Sequence, residues 1–227
     1  MIIAIDGPAG AGKSTVAKEI AQKLGFLYID TGAMYRALTL KILQAQIDIG
    51  DIAKISKVAS HTEIVLTKDE GGSLRVLLDG QDVSRQIREA RITQFVSDIA
   101  KIKEVRHVMV GLQRDFGAKG DCVLDGRDIG TVVFPGADKK FYIDADLNER
   151  VRRRFNELKE LGQNIIMRDV EHDLRNRDMI DSTRKVAPLK RAEDAVYVDT
   201  TRMTIEEVVD HLLGNIKNPN VKIQNPK

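Results

Sequence analysis

The sequence predicts an α/β fold, a three-layer arrangement with a parallel sheet between helices, a small inserted β hairpin or sheet, and a helical lid. Three observations predict it. Short apolar runs alternate with stretches of helical periodicity along most of the chain. A glycine-rich turn joins the first apolar run to the first helical stretch. Near residues 62–78 the alternation stops, and two strand-like runs follow each other directly. Repeated strand-helix units imply parallel strands covered on both faces, because each crossover helix returns the chain to the same edge of the sheet.

Taken in order, residues 2–6 (IIAID) form an apolar run ending in an acidic residue, followed by GPAGAGKS and the helical stretch TVAKEIAQKLG. FLYID reads as a second strand and TGAMYRALTLKILQAQ as a proline-free helix. TEIVLT and SLRVLL are the inserted strands, with KDEGG supplying turn residues between them. RITQFVSDIAKI and KEVRHVMVGLQRDF carry helical patterns until Gly117 and Gly120 break them. DCVLDGRD is a buried strand ending at Asp125-Gly126, and KFYID a further one ending at Asp144. Asp146 is placed to cap an arginine-rich helix, LNERVRRRFNELKELG, and residues 168–182 form another charged helix. AVYVD is the last strand. The closing helix, TRMTIEEVVDHLLGNI, starts at a capping box made by Thr204 and Glu207.

At 227 residues the chain has room for one substantial core, and two independent domains would be cramped. The expected organisation is a single core over 1–217, with an insert at about 62–86, a mobile arginine-rich lid at about 147–184, and a disordered tail at 218–227. No apolar run approaches the roughly 18 residues that a membrane helix requires. Net charge is +2, aromatics make up 4% and tryptophan is absent, so no basic, aromatic-interleaved surface for nucleic acid is expected. The N-terminus carries no secretory leader, and the single cysteine, Cys122, cannot form an internal disulfide; both point to the cytoplasm. No strongly apolar surface helix argues for an oligomer, so a monomer is expected. His61, His107, His172 and His211 lack metal-ligand spacing and receive no role.

Gly7-Pro8-Ala9-Gly10-Ala11-Gly12-Lys13-Ser14 fits the G-x-x-x-x-G-K-[ST] pattern of a phosphate loop (P-loop, Walker A), between a strand and a helix as the motif requires. Its glycines let backbone N–H groups turn toward phosphate oxygens at a helix N-terminus. Lys13 is placed to reach the β- and γ-phosphates, Ser14 to offer its hydroxyl to Mg²⁺, and Thr15 to continue the ATP-binding set. Asp125 ends a buried strand, where it can orient Mg²⁺ directly or through water; the alternative is that Asp125-Gly126 is only a turn. The loop itself does not name an acceptor, since switches, motors and kinases share it. A nucleotide-dependent switch and a kinase for another small acceptor both remain open, though no Asn-Lys-x-Asp guanine-reading motif is present.

Transfer between two phosphate-bearing substrates requires converging positive charge. Arg36, Arg127, and the cluster Arg150, Arg152, Arg153 and Arg154 are candidates; the clustered charges repel one another unless an anion arrives, and the alternative is a solvated helix face.

GPAGAGKST, DTGAMYR, LDGRDIGTVVFP and RKVAPL, in this order, resemble the bacterial type of cytidylate kinase from about Ile2 to Ile216, inserted strands included. The resemblance implies transfer of the γ-phosphate of ATP to CMP or dCMP with Mg²⁺ as cofactor, in a monomer. It implies that Ser97, Arg106 and Asp128 read the cytosine ring, with Asp128 accepting from the exocyclic amine. It implies that Arg36, Arg127 and Arg184 hold the acceptor phosphate and that Arg177 and Asp181 lie near the sugar. Thr31 and Tyr35 line the same pocket, Thr31 standing where a serine is frequent. Lys13, Arg127, Arg184 and the lid residue Arg153 are the expected catalytic groups.

Overall fold

The computed structural model describes residues 1–68 and 74–217. Apart from Lys68, the expected KDEGG turn lies outside the described residues, as does the tail from Asn218. The elements run β1 (Ile2–Asp6), α1 (Lys13–Leu24), β2 (Leu27–Asp30), α2 (Thr31–Gln44), α3 (Ile52–Ser60), β3 (Ile64–Lys68), β4 (Leu74–Leu78) and β5 (Gln81–Asp82). A 3₁₀ turn at Gln86–Arg88 precedes α4 (Ala90–Ala100), α5 (Lys103–Gly117) and β6 (Cys122–Gly126). A π-helical turn at Ile129–Val133 leads to β7 (Lys139–Asp144), α6 (Leu147–Glu160), α7 (Met167–Thr183), β8 (Val196–Asp199) and α8 (Ile205–Lys217).

The main sheet has five strands in the order β2-β6-β1-β7-β8, with β1 parallel to both β6 and β7 and β7 parallel to β8. Ile3, Ala4 and Ile5 of β1 and Cys122, Val123 and Leu124 of β6 are all fully buried. Burial of successive residues, which point to opposite faces, is why these strands read as continuous apolar runs. The Cys122 thiol, desolvated there, is pushed up to about 11.

The chain divides into two compact units, with the boundary inside β2. The first holds residues 1–28 and those from Gly120 onward. In it α1 packs on β1, β6 and α8, while α6 packs on α7. Ala9, Val151, Leu158, Val170 and Leu174 form one apolar cluster at that helix pair. The second unit, residues 29–119, packs α2 against α4 and β4, and α3 against α5. Its small sheet is antiparallel in the order β3-β4-β5, so the expected hairpin carries a short third strand. Helix α3 was not expected: it has nine residues and buries only Ile55 and Ala59, too narrow a stripe to stand out.

Two expected caps resolve differently. Thr204 and Glu207 form the reciprocal box, Glu207 N–H donating to Thr204 Oγ1 at 3.2 Å and Thr204 N–H to Glu207 Oε2 at 2.8 Å. Asp146 occupies the N-cap position of α6 but its carboxylate makes no capping hydrogen bond. Its backbone N–H is instead held by Thr201 Oγ1 at 2.8 Å, which fixes the entry of the chain into the helix. Among the described residues no helix is long and apolar enough to cross a membrane.

Candidate active site

The phosphate loop is shaped by what it cannot accommodate. Gly7 has φ +148°, and a Cβ there would stand 1.9 Å from the backbone oxygen of Ile143 in β7. Only glycine meets both conditions. Gly7→Ala is therefore expected to displace the loop and weaken ATP binding by about 100-fold, with a loss of about 2–4 kcal/mol in stability; calorimetric titration and a denaturant curve measure the two effects.

Gly12, left-handed at φ +88°, starts α1, and Lys13 follows, buried, with its Nζ donating to Pro8 O at 2.5 Å. Burial, and after it the Arg127 guanidinium, push the Lys13 ammonium well below the ordinary lysine range. Ser14 Oγ donates to Asp125 Oδ2 at 2.7 Å, and the Tyr28 hydroxyl to Asp125 Oδ1 at 2.9 Å. The two residues expected to serve Mg²⁺ thus lie side by side. Two hard oxygens, one hydroxyl and one carboxylate, suit Mg²⁺, which takes few protein ligands and completes its shell with phosphate oxygens and water. Among the described residues no group of three or more His, Cys, Asp or Glu is arranged to cage a metal by itself.

A second cluster in the same unit is built from guanidinium and carboxylate groups. Arg127 Nε donates to Asp181 Oδ2 at 2.9 Å, and Arg184 lies 3.5 Å from Asp181 Oδ1 and 3.3 Å from Asp128 Oδ1. Arg184 Nε also donates to Ala187 O at 2.7 Å. Arg177 pairs loosely with Asp173 at 3.7 Å, and its Nε is buried with no hydrogen-bond partner among the described residues. Burial, and then the like charge of Arg127, push Arg177 down to about 10. Burial alone would raise Asp181, but Arg127, Arg184 and Arg177 outweigh it and hold the carboxyl below its ordinary value. A buried donor without an acceptor beside another cation is the signature of an anion site.

The arginines of α6 differ from expectation, because each already has a carboxylate partner. Arg152 and Arg153 share Glu149, and Arg154 pairs with Glu157, all at helical i,i+3 or i,i+4 spacing. Arg153 also donates to Thr200 O at 2.6 Å. Arg150 is buried: it pairs with Asp178 of α7 and donates to Ala145 O at 2.9 Å and Ala9 O at 3.1 Å. Asp178 in turn accepts from Ala9 N–H at 3.2 Å. Every arginine of the cluster is therefore paired within α6 and α7, though Arg152 and Arg153 share one carboxylate, and Arg150 braces the phosphate loop.

The remaining expected residues gather in the second unit. Asp30 caps α2 by accepting from Ala33 N–H at 2.7 Å, and its other oxygen accepts from Arg36 at 3.0 Å. The Arg36 Nε is buried with no partner among the described residues. Thr31 and Tyr35 are buried on α2, with the Arg106 guanidinium 5.7 Å above the Tyr35 ring. Ser97 and Arg106 are buried on α4 and α5. Asp6, Asp178 and Lys140 were not expected to matter. For Asp6 a signal existed, an acidic residue ending an apolar strand against the glycine loop; the other two look like ordinary surface charges in sequence.

The family model for cytidylate kinases matches residues 3–218. This chain belongs to the cytidylate kinase family. A cytidylate kinase of Caldicellulosiruptor saccharolyticus is 48% identical, covering 93% of each chain. One from Caldanaerobacter subterraneus subsp. tengcongensis is 50% identical over 95% of this chain and 94% of its own length. Among solved structures, an uncharacterized protein from Eubacterium ventriosum shares the fold alone, with a TM-score of 0.52 and 12% identity over 96% of this chain and 99% of that one. The sequence resemblance, the α/β architecture and the family membership agree.

Proposed function

We propose that this chain transfers the γ-phosphate of ATP to CMP or dCMP, giving ADP and CDP or dCDP. The observation that carries the reading is that one compact unit of a cytidylate kinase chain holds both a phosphate loop with a buried lysine and a buried guanidinium cluster around Asp181. At neutral pH the acceptor phosphate is largely dianionic, its second pKa being about 6, so no strong general base is required. What the chain must supply is position and positive charge.

Residues 7–15 hold the donor phosphates, with Lys13 on the β- and γ-phosphates. Ser14 and Asp125 would hold Mg²⁺, which would supply charge neutralisation at the donor phosphates when bound. Arg36, Arg127 and Arg184 hold the acceptor phosphate, whose oxygen attacks the γ-phosphorus as the bond to ADP breaks, and Arg177 and Asp181 serve the sugar. From the resemblance, Ser97, Arg106 and Asp128 read the cytosine ring, and Thr31 and Tyr35 serve the same ligand. Helices α6 and α7 act as the lid, excluding water and bringing Arg153 toward the transferred group. The insert at about 62–86 serves the acceptor side. The single cysteine supports a cytoplasmic setting, and the resemblance a monomer.

ADP release is followed with ATP, Mg²⁺ and CMP, dCMP, UMP, AMP, dTMP or no acceptor. Fast release with CMP and dCMP, far ahead of the rest, is expected; equal slow release in every case would mean a nucleotide-binding module without an acceptor site. Asp128→Ala is expected to lower the CMP to UMP ratio of kcat/KM by about 10- to 100-fold, because the lost acceptor is specific to the exocyclic amine. An unchanged ratio overturns that role.

A further inference from the structure

Asp6 ends β1 and is buried, yet among the described residues no ion pair satisfies it. Its two oxygens accept from consecutive backbone amides, Oδ1 from Ile129 N–H and Oδ2 from Gly130 N–H, both at 2.8 Å. Those amides open the π-helical turn at Ile129–Val133, whose N-cap residue is Asp128. An aspartate at an N-cap ordinarily accepts from the opening amides of its own helix. Asp128 does not: its carboxylate makes no capping hydrogen bond, while its carbonyl accepts from Val132 N–H at 2.9 Å and Val133 N–H at 3.2 Å to close the turn. The capping is done from another strand.

The same loop is pinned at its far end. Lys140 Nζ donates to Pro135 O at 2.5 Å and pairs with Asp194 at 2.8 Å. In the β1–β7 register Ala4 faces Lys140 and Asp6 faces Tyr142, so Asp6 and Lys140 project from one face of the sheet. Gly130 is clasped between them, since a Cβ there would lie 3.1 Å from Lys140 Cδ and 3.4 Å from Asp6 Oδ2.

We infer that Asp6 is a positioning residue for base recognition: by capping the 129–133 turn in place of Asp128, it leaves the Asp128 carboxylate, which meets Arg184 at 3.3 Å, to serve the acceptor base instead of its own backbone. Keeping a carboxylate buried is costly. Burial pushes the Asp6 carboxyl up to about 7 even though the Gly130 and Ile129 amides favour its charged form. An apolar residue of similar volume would fill the space but leave the Ile129 and Gly130 amides without this acceptor. An exclusively structural tie would leave the choice of base untouched, whereas this arrangement makes the choice depend on Asp6.

The inference rests on the cytidylate reading, and one set of measurements separates the two. If wild-type protein does not phosphorylate CMP, the proposed function fails. If wild type does, Asp6→Asn decides the inference, because the amide keeps the volume but turns an N–H₂ toward a backbone donor. KM for CMP is expected to rise about tenfold and the CMP to UMP ratio to fall about fivefold or more, with KM for ATP within about twofold. The double-mutant cycle supplies the control: Asp6→Asn is expected to change the ratio little once Asp128→Ala is present, because both act through one carboxylate. Full additivity, or an unchanged ratio with CMP and ATP affected alike, overturns the inference. Should Asp6→Asn melt below the assay temperature, Asp6→Glu, which keeps two acceptors but shifts them by one methylene, is read by the same ratio and the same cycle.

Discussion

Lys13→Ala is expected to lower kcat for CMP phosphorylation by about 10³-fold or more while the protein stays folded. The lysine supplies positive charge where the transferred phosphoryl group and the leaving ADP carry negative charge, and no other cation of the loop can replace it. Its loss should not damage the fold. The Lys13 ammonium is buried and held down from its ordinary value, so its charged form is a cost to the native state. The sign follows from proton linkage. The unfolded lysine keeps its proton up to about pH 10.4 while the native one gives it up at lower pH, so the wild type gains stability as pH rises through that window. Lys13→Ala should lack this gain. Steady-state assays with circular dichroism test both statements, and near wild-type turnover in a folded Lys13→Ala protein would sink the proposed function.

Arg184→Ala is expected to lower kcat/KM for CMP by about 10²- to 10³-fold and to cost about 3–5 kcal/mol of stability. The side chain is 2% exposed and is shared by Asp128, Asp181 and the Ala187 carbonyl. Removing it takes a cation away from two buried carboxylates, of which Asp181 keeps its pair with Arg127. Arg184→Lys should not rescue the activity, since one ammonium cannot reproduce a fork that serves three acceptors. In the wild type, Asp181 titrates below its ordinary value, so its contribution to stability is present above about pH 4 and fades as pH falls through the lower native value. The deficit of Arg184→Ala should therefore be largest at neutral pH and shrink in acid. Denaturant curves across pH measure it; a variant with unchanged KM for CMP would remove Arg184 from the acceptor site.

The inner strands β1 and β6 were legible because their residues are buried on both sides, so each reads as an apolar run bounded by turns. The phosphate loop was legible because strand, glycine turn, lysine and helix are contiguous. The pairing of α6 arginines with Glu149 and Glu157 could also have been read, since their spacing is local; attention to positive charge alone hid it. What sequence could not supply was any contact made across many residues. Asp6 serves a turn more than 120 residues away, and Arg150 meets Ala9 from the far side of the chain. Neither contact can be read from local spacing, although the place of Asp6 at the end of an apolar strand is itself a signal. Helix α3 was missed for a different reason, its packing face being too slender to impose a pattern.

The position of Cys122 has a practical side. The only thiol of the chain is walled inside the central sheet and kept protonated far above physiological pH, whereas alkylation requires an accessible thiolate. A cysteine introduced at an exposed site, such as Met179 on α7 at 56% exposure, would thus be the sole target for a maleimide dye. Fluorescence from the helix pair could be followed during turnover in the otherwise native protein, without first engineering the natural cysteine away.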